Sequence, residues 1–393
     1  MSIQFTQDQA YAYSAFCKGK SIFLTGDAGT GKSMLVKEMI AKAQADGRRV
    51  AVTASTGIAA SLLPGGRTIH SFLHAYPGMK LSNINYLEKI DRLADTDVLI
   101  IDEISILGDV FLPYLYNCLC AANKRIQLVV VGDFFQIPPI NDAYAFQSPY
   151  WEKLKLTPCV LHEIVRQSDK EMIRNLNMLK FGDARCLPYF LSHSSAVPFD
   201  NQITICAKSD EAKRINQAVL SQIEGVARTY LAEYDDQRIK TDYPIDDQIE
   251  VKVGARVMAI VNSTEYVNGS LGTVTELCDD SIEVQFDNGV KAKIKRHTFD
   301  TGRYTAGGER ITVRQFPLRL AHAITIHKAQ GQTFEFVNID GASCWERGQL
   351  YVAISRAKAV ERIHFTRPIT DRNIRTDKDV IDFYMKLEYS AVA

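Results

Sequence analysis

The sequence predicts an α/β protein with two parallel-sheet cores and a small β-barrel inserted in the second. Three observations predict it. Apolar strand-like runs alternate with helical patterns through the first third, which is the signature of a parallel sheet covered by helices. The same rhythm resumes near residue 203. Between the halves of that second stretch the pattern changes to short alternating strands broken by turn pairs.

In the first stretch the strand-like runs are Ser21 to Thr25, Val50 to Ala54, Val98 to Ile101 and Gln127 to Val131. After the first of them Met34, Leu35, Met39, Ile40 and Ala43 recur at helical spacing, and Gly47 supplies a stop before the next strand. The later strands are Ile203 to Ala207, Phe336 to Ile339 and Arg362 to Phe365, beside helix-like stretches such as Glu211 to Val219 and Leu350 to Lys358. From Val253 to Val313 the pairs Asn268-Gly269, Asp279-Asp280 and Asn288-Gly289 are hairpin-turn signals. The expected division is therefore a first core over 1–160, a second core over 161–252 and 314–393, and the barrel over 253–313.

At 393 residues the chain suits two domains, and no low-complexity tract or internal repeat interrupts it. Its 46 basic and 46 acidic side chains cancel, so any nucleic-acid contact must come from a local groove rather than net charge. The opening MSIQFTQDQA has neither a basic start nor an apolar run, and no apolar stretch is long enough to cross a bilayer, so a soluble cytoplasmic protein is expected. Eight cysteines, at 17, 118, 120, 159, 186, 206, 278 and 344, lack paired zinc or disulfide spacing and read as buried reduced thiols. The same scatter argues against an iron–sulfur cluster, which needs four clustered cysteines. His70 and His74 in HSFLH lack the glutamate a metalloprotease requires between them.

Residues 26–33, GDAGTGKS, carry the P-loop pattern between a strand and a helix. Glycines let backbone N–H groups curl around phosphates, Lys32 reaches the β- and γ-phosphates, and Ser33 ligates magnesium. VLIIDE, residues 98–103, is an apolar strand delivering two acids to the sheet edge: Asp102 to hold the magnesium and Glu103 to orient or deprotonate the attacking water. The next strand runs into VGDFFQIPP, which brings Gln136 to the same edge, where it can sense the γ-phosphate.

The order of these motifs resembles superfamily 1B helicases, most closely the Pif-type (petite integration frequency) family. The likeness runs over nearly the whole chain: FTQDQ, GDAGTGKS, TASTGIAA, TIHSF, IDEIS, GDFFQIPP, LHEIVRQ, VKVGARVM, VNGSLGTV, QFPLRLAHAITIHKAQGQTF and GQLYVAISRAK. The resemblance implies two RecA-like P-loop cores and an ATP-dependent DNA helicase moving 5′ to 3′ on single-stranded DNA, with ATP and Mg2+ as cofactors. It makes Gln9 the adenine-reading glutamine and Gly26, Asp27, Ala28, Gly29, Thr30, Gly31, Lys32 and Ser33 the nucleotide cradle. It makes Arg166 and Arg356 arginine fingers from the second core, where a guanidinium fork stabilises γ-phosphoryl charge better than a lysine.

For single-stranded DNA the resemblance implies Thr53, Ser55 and Thr56 as backbone contacts, His70 and Phe72 near a base, Asn268 with Gly269 in the barrel, and His327, Lys328 and Gln330 in the second core. Phe72 also reads as a core aromatic at helical spacing. Lys291, Lys293 and Lys295 share one strand face, which either attracts a phosphate backbone or, the favoured reading, protects a sheet edge. The chain departs from the family where Ala329 and His322 stand for the common serine and tryptophan, and in lacking a Gly-rich stretch before GDFFQ. Partners are then single-stranded and tailed duplex DNA, no membrane, with a monomeric motor. A RecD-type or Dda-type 1B motor, and a DNA-stimulated remodelling ATPase without strand separation, are the alternatives. A nucleotide switch is disfavoured because Glu103 supplies a water-activating acid.

Overall fold

The structure, a computed structural model, describes residues 4–61, 63–75, 90–163, 169–235, 246–304 and 310–392. The chain forms two compact units, Met1–Pro198 with Ala329–Ala393, and Phe199–Lys328.

The first unit is built on a six-stranded sheet of β1 (Ile22–Gly26), β2 (Val50–Ala54), β3 (Arg67–Thr68), β4 (Val98–Asp102), β5 (Gln127–Val131) and β6 (Thr157–Leu161), in the order β3-β2-β4-β5-β1-β6. Every pairing in it is parallel. A parallel sheet is covered on both faces, which is why β1 and β5 are buried at every position and read as unbroken apolar runs. The helix α1 (Gln7–Cys17) opens with a capping box, Thr6 accepting from the Gln9 amide N–H and Gln9 Oε1 accepting from the Thr6 N–H. The helix α2 (Lys32–Ala45) buries Leu35, Met39, Ile40 and Ala43 against the sheet as their spacing predicts, with Met34 half-buried. Gly47, at φ +72°, ends the turn beyond it.

Among the elements of this unit that escape the sequence reading are an edge strand and a late helix. β6 contains Pro158, a breaker, and is tolerated because it is the edge strand. The helix Lys378–Val392 carries Phe383, which stacks on Phe146 with ring centroids 4.3 Å apart and meets Phe23, Phe134 and Trp151. Val337–Asp340 and Ile363–Arg367 form a further parallel pair.

The second unit holds the parallel pair Thr204–Cys206 with Ala323–Thr325, flanked by the helix Ser209–Gln222. Its largest sheet is antiparallel and five-stranded, in the order Lys291–Lys295, Ser281–Phe286, Leu271–Leu277, Arg256–Ala259, Leu318–Leu320. Antiparallel strands do occupy the stretch where the turn pairs predict them, but among the described residues they form an open sheet with two edges, joined by Leu318–Leu320, rather than a closed barrel. Gly269 and Gly289 turn at φ +91° and +86° where the Asn-Gly pairs predict hairpins. Lys291, Lys293 and Lys295 are exposed on an edge strand whose alternate residues Ala292 and Ile294 are buried, the arrangement that protects a sheet edge.

Candidate nucleotide site and single-strand contacts

Three strand ends of the first unit meet at one sheet edge. β1 leads into the P-loop, β4 into Asp102 and Glu103, and the strand beside both, β5, into Asp133–Gln136. Carboxyl ends of parallel strands are where such sheets bind ligands. The P-loop backbone depends on glycine: Gly26, Gly29 and Gly31 sit at φ +145°, +89° and +82°, and a Cβ on Gly26 would lie 2.4 Å from the Leu161 carbonyl oxygen. Lys32 Nζ donates to the carbonyls of Gly26 at 2.6 Å and Asp27 at 2.9 Å, folding over its own loop, and burial lowers its pKa. Ser33 is exposed at the start of α2. Gln9 is buried, and its Nε2 donates to the Thr30 carbonyl at 3.0 Å, so in this state its amide holds the P-loop.

Glu103 has a left-handed backbone, φ +55° and ψ +46°, costing a non-glycine residue about 1 kcal/mol. Burial raises the pKa of Glu103, opposed chiefly by Lys32 and then by Arg356. Burial and the neighbouring Glu103 raise that of Asp102. Burial likewise raises Asp133, whose Oδ2 accepts from Gln136 Nε2 at 3.3 Å. The Gln136 Oε1 is buried and unpartnered.

Arg356 is 3 % exposed, just beyond the helix Gln349–Ile354. Its guanidinium donates to the carbonyls of Val352 at 3.0 Å and Gln332 at 3.3 Å and to Ser355 Oγ at 2.9 Å. The same helix contributes Tyr351, whose hydroxyl accepts from the Ala28 N–H at 3.3 Å. Arg166 lies outside the described residues.

The residues expected at DNA divide more sharply. Thr53 is buried, and its hydroxyl donates to the Ile100 carbonyl across the sheet at 2.5 Å. Thr56 is spent on a cap, accepting from the Ala59 N–H at 3.1 Å, while Ser55 Oγ is buried without a partner. Phe72 is buried, so the core-aromatic reading describes its ring, and His70 packs on Phe111 with centroids 4.8 Å apart. Gln330 is buried too, and its Nε2 donates to Glu103 Oε2 at 3.1 Å, which attaches it to the acid rather than to a surface groove. In the second unit Asn268 stands at its hairpin turn, and burial lowers the pKa of Lys328, with Arg319 adding to the effect. His327 is half-buried beside it.

Sequence reasoning missed Tyr351, Lys180 and Tyr384. Lys180 is ion-paired to Asp27 of the P-loop. The Tyr384 hydroxyl joins Thr25 Oγ1 at 2.6 Å and accepts from the Phe134 N–H at 3.1 Å. Tyr351 lay inside a quoted motif, but nothing in residue type or spacing marked the other two.

Fold and site together define a P-loop nucleotide-binding protein with an acid pair at the strand end and an arginine beside it. Residues 4–181 match the PIF1-like helicase family, and residues 320–360 match the UvrD-like helicase C-terminal domain. An ATP-dependent DNA helicase Pif1 of Bdellovibrio bacteriovorus is 30 % identical, over 98 % of this chain and 93 % of its own length. An ATP-dependent DNA helicase PIF1 of Danio rerio is 32 % identical over 97 % of this chain, which spans only 64 % of that relative. The crystal structure of Pif1 helicase from Candida albicans superposes with a TM-score of 0.86 at 29 % identity, covering 99 % of this chain and all of that one. Bacteroides Pif1 bound to single-stranded DNA gives 0.83 at 30 % identity, covering 99 % and 98 %. The chain belongs to the PIF1-like helicase family.

Proposed function

We propose that the chain is an ATP-dependent DNA helicase that moves 5′ to 3′ on single-stranded DNA and opens duplex ahead of it. The observation that carries this reading is the convergence, within one compact unit, of the P-loop, Asp102 with Glu103, Gln136 and Arg356. Relatives named ATP-dependent DNA helicase Pif1, a related structure with ADP-AlF3 and single-stranded DNA, and another described as unwinding at forked DNA support it. Polarity rests on family membership alone.

The P-loop amides and Lys32 bind the phosphates, and Gln9 is the adenine reader. Glu103, held by Gln330, takes the proton of the attacking water. Gln136 orients the γ-phosphate side, and Arg356 and Arg166 offset charge developing on the γ-phosphoryl, the usual division of labour in phosphoryl transfer. The donor set fits magnesium. Among the described residues, four carboxylates, Asp27, Asp102, Glu103 and Asp133, gather around three cations, Lys32, Lys180 and Arg356, and burial raises three of those acids. A divalent cation held by Ser33 and Asp102 would relieve that excess and offset phosphate charge.

For DNA, Ser55, Thr56, His70 and Asn268 with His327 and Lys328 remain the proposed contacts, while Thr53, enclosed by the sheet, is proposed to brace the strand end that presents Ser55 and Thr56. Gln330 is proposed to link those contacts to Glu103, and Phe72, buried in the core, is proposed to act on the DNA only indirectly. The proposed functional division is 1–160, 161–252 with 314–393, and an inserted barrel-like module over 253–313. The motor is proposed to work as a monomer, since the P-loop, Asp102, Glu103, Gln136 and Arg356 all lie within one compact unit of a single chain. Eight free thiols support a reducing compartment such as the cytoplasm. Duplexes with 5′ tails, 3′ tails and blunt ends, compared under single-turnover conditions with a protein trap, test the reading. Preferential opening of the 5′-tailed substrate is expected. Preference for the 3′ tail, or ATP hydrolysis with no strand separation, would overturn it.

A further inference from the structure

An acid is an unexpected residue in a loop built to hold phosphate. Asp27 is the second residue of GDAGTGKS, and its side chain is only 17 % exposed. A carboxylate fixed there repels the incoming phosphates, and its partial burial makes the repulsion stronger than it would be in water. The structure supplies the remedy from a distant part of the chain. The helix Lys170–Lys180 ends with Lys180, 11 % exposed, whose ammonium donates to Asp27 Oδ1. The ammonium also stands over the rings of Phe135 and Phe181, 4.7 and 4.8 Å from their centroids, and the Lys180 carbonyl accepts from Thr376 Oγ1 at 2.8 Å. Both sides of the lysine are therefore fixed.

Residue 27 is also the hub of the P-loop. Its carbonyl accepts from Lys32 Nζ at 2.9 Å and from Thr30 Oγ1 at 2.9 Å. Whatever displaces Asp27 thus displaces the lysine that reaches the phosphates.

We infer that Lys180 is a positioning residue of the nucleotide site: it acts through Asp27, cancelling that acid's charge and holding the P-loop in the form that admits phosphate. This rests on the nucleotide reading of the P-loop. A purely structural strut and a charge-cancelling partner differ in one respect. If charge is what matters, removing the acid compensates for removing the lysine.

Affinity for a fluorescent ATP analogue and the DNA-stimulated hydrolysis rate should be measured for wild type, Lys180→Met, Lys180→Arg, Asp27→Asn and the Asp27→Asn/Lys180→Met pair, with melting temperature followed in each. Lys180→Met should weaken nucleotide binding tenfold or more, since it leaves an uncancelled carboxylate beside the phosphates. Lys180→Arg should recover most of that loss. Asp27→Asn should tighten binding severalfold, and the paired variant should return to within about threefold of wild type. Unchanged binding in Lys180→Met, weaker binding in Asp27→Asn, or a paired variant as poor as Lys180→Met would each overturn the inference. Should Lys180→Met fail to fold, the sign of the Asp27→Asn effect still decides. Lys32→Ala serves as the control for the underlying reading. If it binds and hydrolyses ATP as wild type does, the P-loop assignment itself fails, a result distinct from any of those above.

Discussion

At the scale of single residues, the site is a set of groups held away from their ordinary chemistry. Glu103 carries a strained backbone, a raised pKa and a hydrogen bond from Gln330, all of which favour an acid that is aimed and poised to take a proton. Lys32 is depressed by the same burial and is turned back onto its own loop, so phosphate binding must exchange carbonyl partners for phosphate oxygens. Glu103→Gln keeps the shape and the Gln330 contact while removing the base. Nucleotide binding should persist as hydrolysis falls by roughly a hundredfold or more, the usual scale of general-base catalysis. Fluorescent-nucleotide titration beside phosphate release separates the two, and parallel loss of binding would mean that Glu103 holds the site's structure instead.

At the scale of elements, the short helix Gln349–Ile354 joins the P-loop to the loop that carries Gln136. Tyr351 touches Ala28, and Arg356 follows the helix directly. Its N-cap is Gly348 at φ +74°, where an added Cβ would lie 2.5 Å from the Gln136 carbonyl oxygen and 2.6 Å from that of Phe135. No side chain fits without pushing that loop. Gly348→Ala should therefore cost stability by about 1 kcal/mol for the left-handed backbone alone. Hydrolysis should fall tenfold or more, because a displacement on the order of 1 Å in a reacting group is expensive. Nucleotide affinity should change far less. A variant with lowered melting temperature and normal turnover would show that the contact only packs the two segments.

At the scale of the whole molecule, buried acids of one unit and a buried histidine of the other respond to acid with opposite signs. In the first, burial raises Asp102, Glu103 and Asp133 above their unfolded values. The folded unit then holds protons that the unfolded chain has released, so these groups favour folding more as pH falls from neutral towards their unfolded values near 4. In the second, His322 is buried, its Nε2 accepts from the Arg256 N–H at 3.1 Å, and burial with Arg256 pushes its pKa down to about 4. Its contribution is complete above the unfolded value near 6.5 and is lost as pH falls through about 4, an effect of about 3 kcal/mol. Scanning calorimetry between pH 7 and pH 4.5 should lower the transition of Phe199–Lys328 relative to that of the first unit. His322→Asn should remove that selective loss. Transitions that move together, or an unchanged response in His322→Asn, would rule the histidine out as the cause.

The sequence by itself determined what depends on neighbours along the chain. Phosphate-cradling glycines, an apolar run ending in two acids, Asn-Gly turns and helical spacing are local patterns, and β1, β2, β4 and β5 emerged within a residue of their runs. What only the tertiary structure decided is how polar groups far apart in sequence share the same space. Gln9 and Gln330 read as contacts for base and DNA, yet in the folded chain their Nε2 groups donate to the Thr30 carbonyl and to Glu103. Thr53 reads as a DNA contact and Phe72 as either a base contact or a core aromatic, and the sheet and core enclose both. Lys180 and Tyr384 carried no local signal, because a lysine at a helix end and a tyrosine near the chain's end are ordinary until folding sets them on Asp27 and on Thr25. The physical reason is desolvation: a buried polar group must find a partner wherever the chain brings one, and sequence spacing carries no record of that meeting.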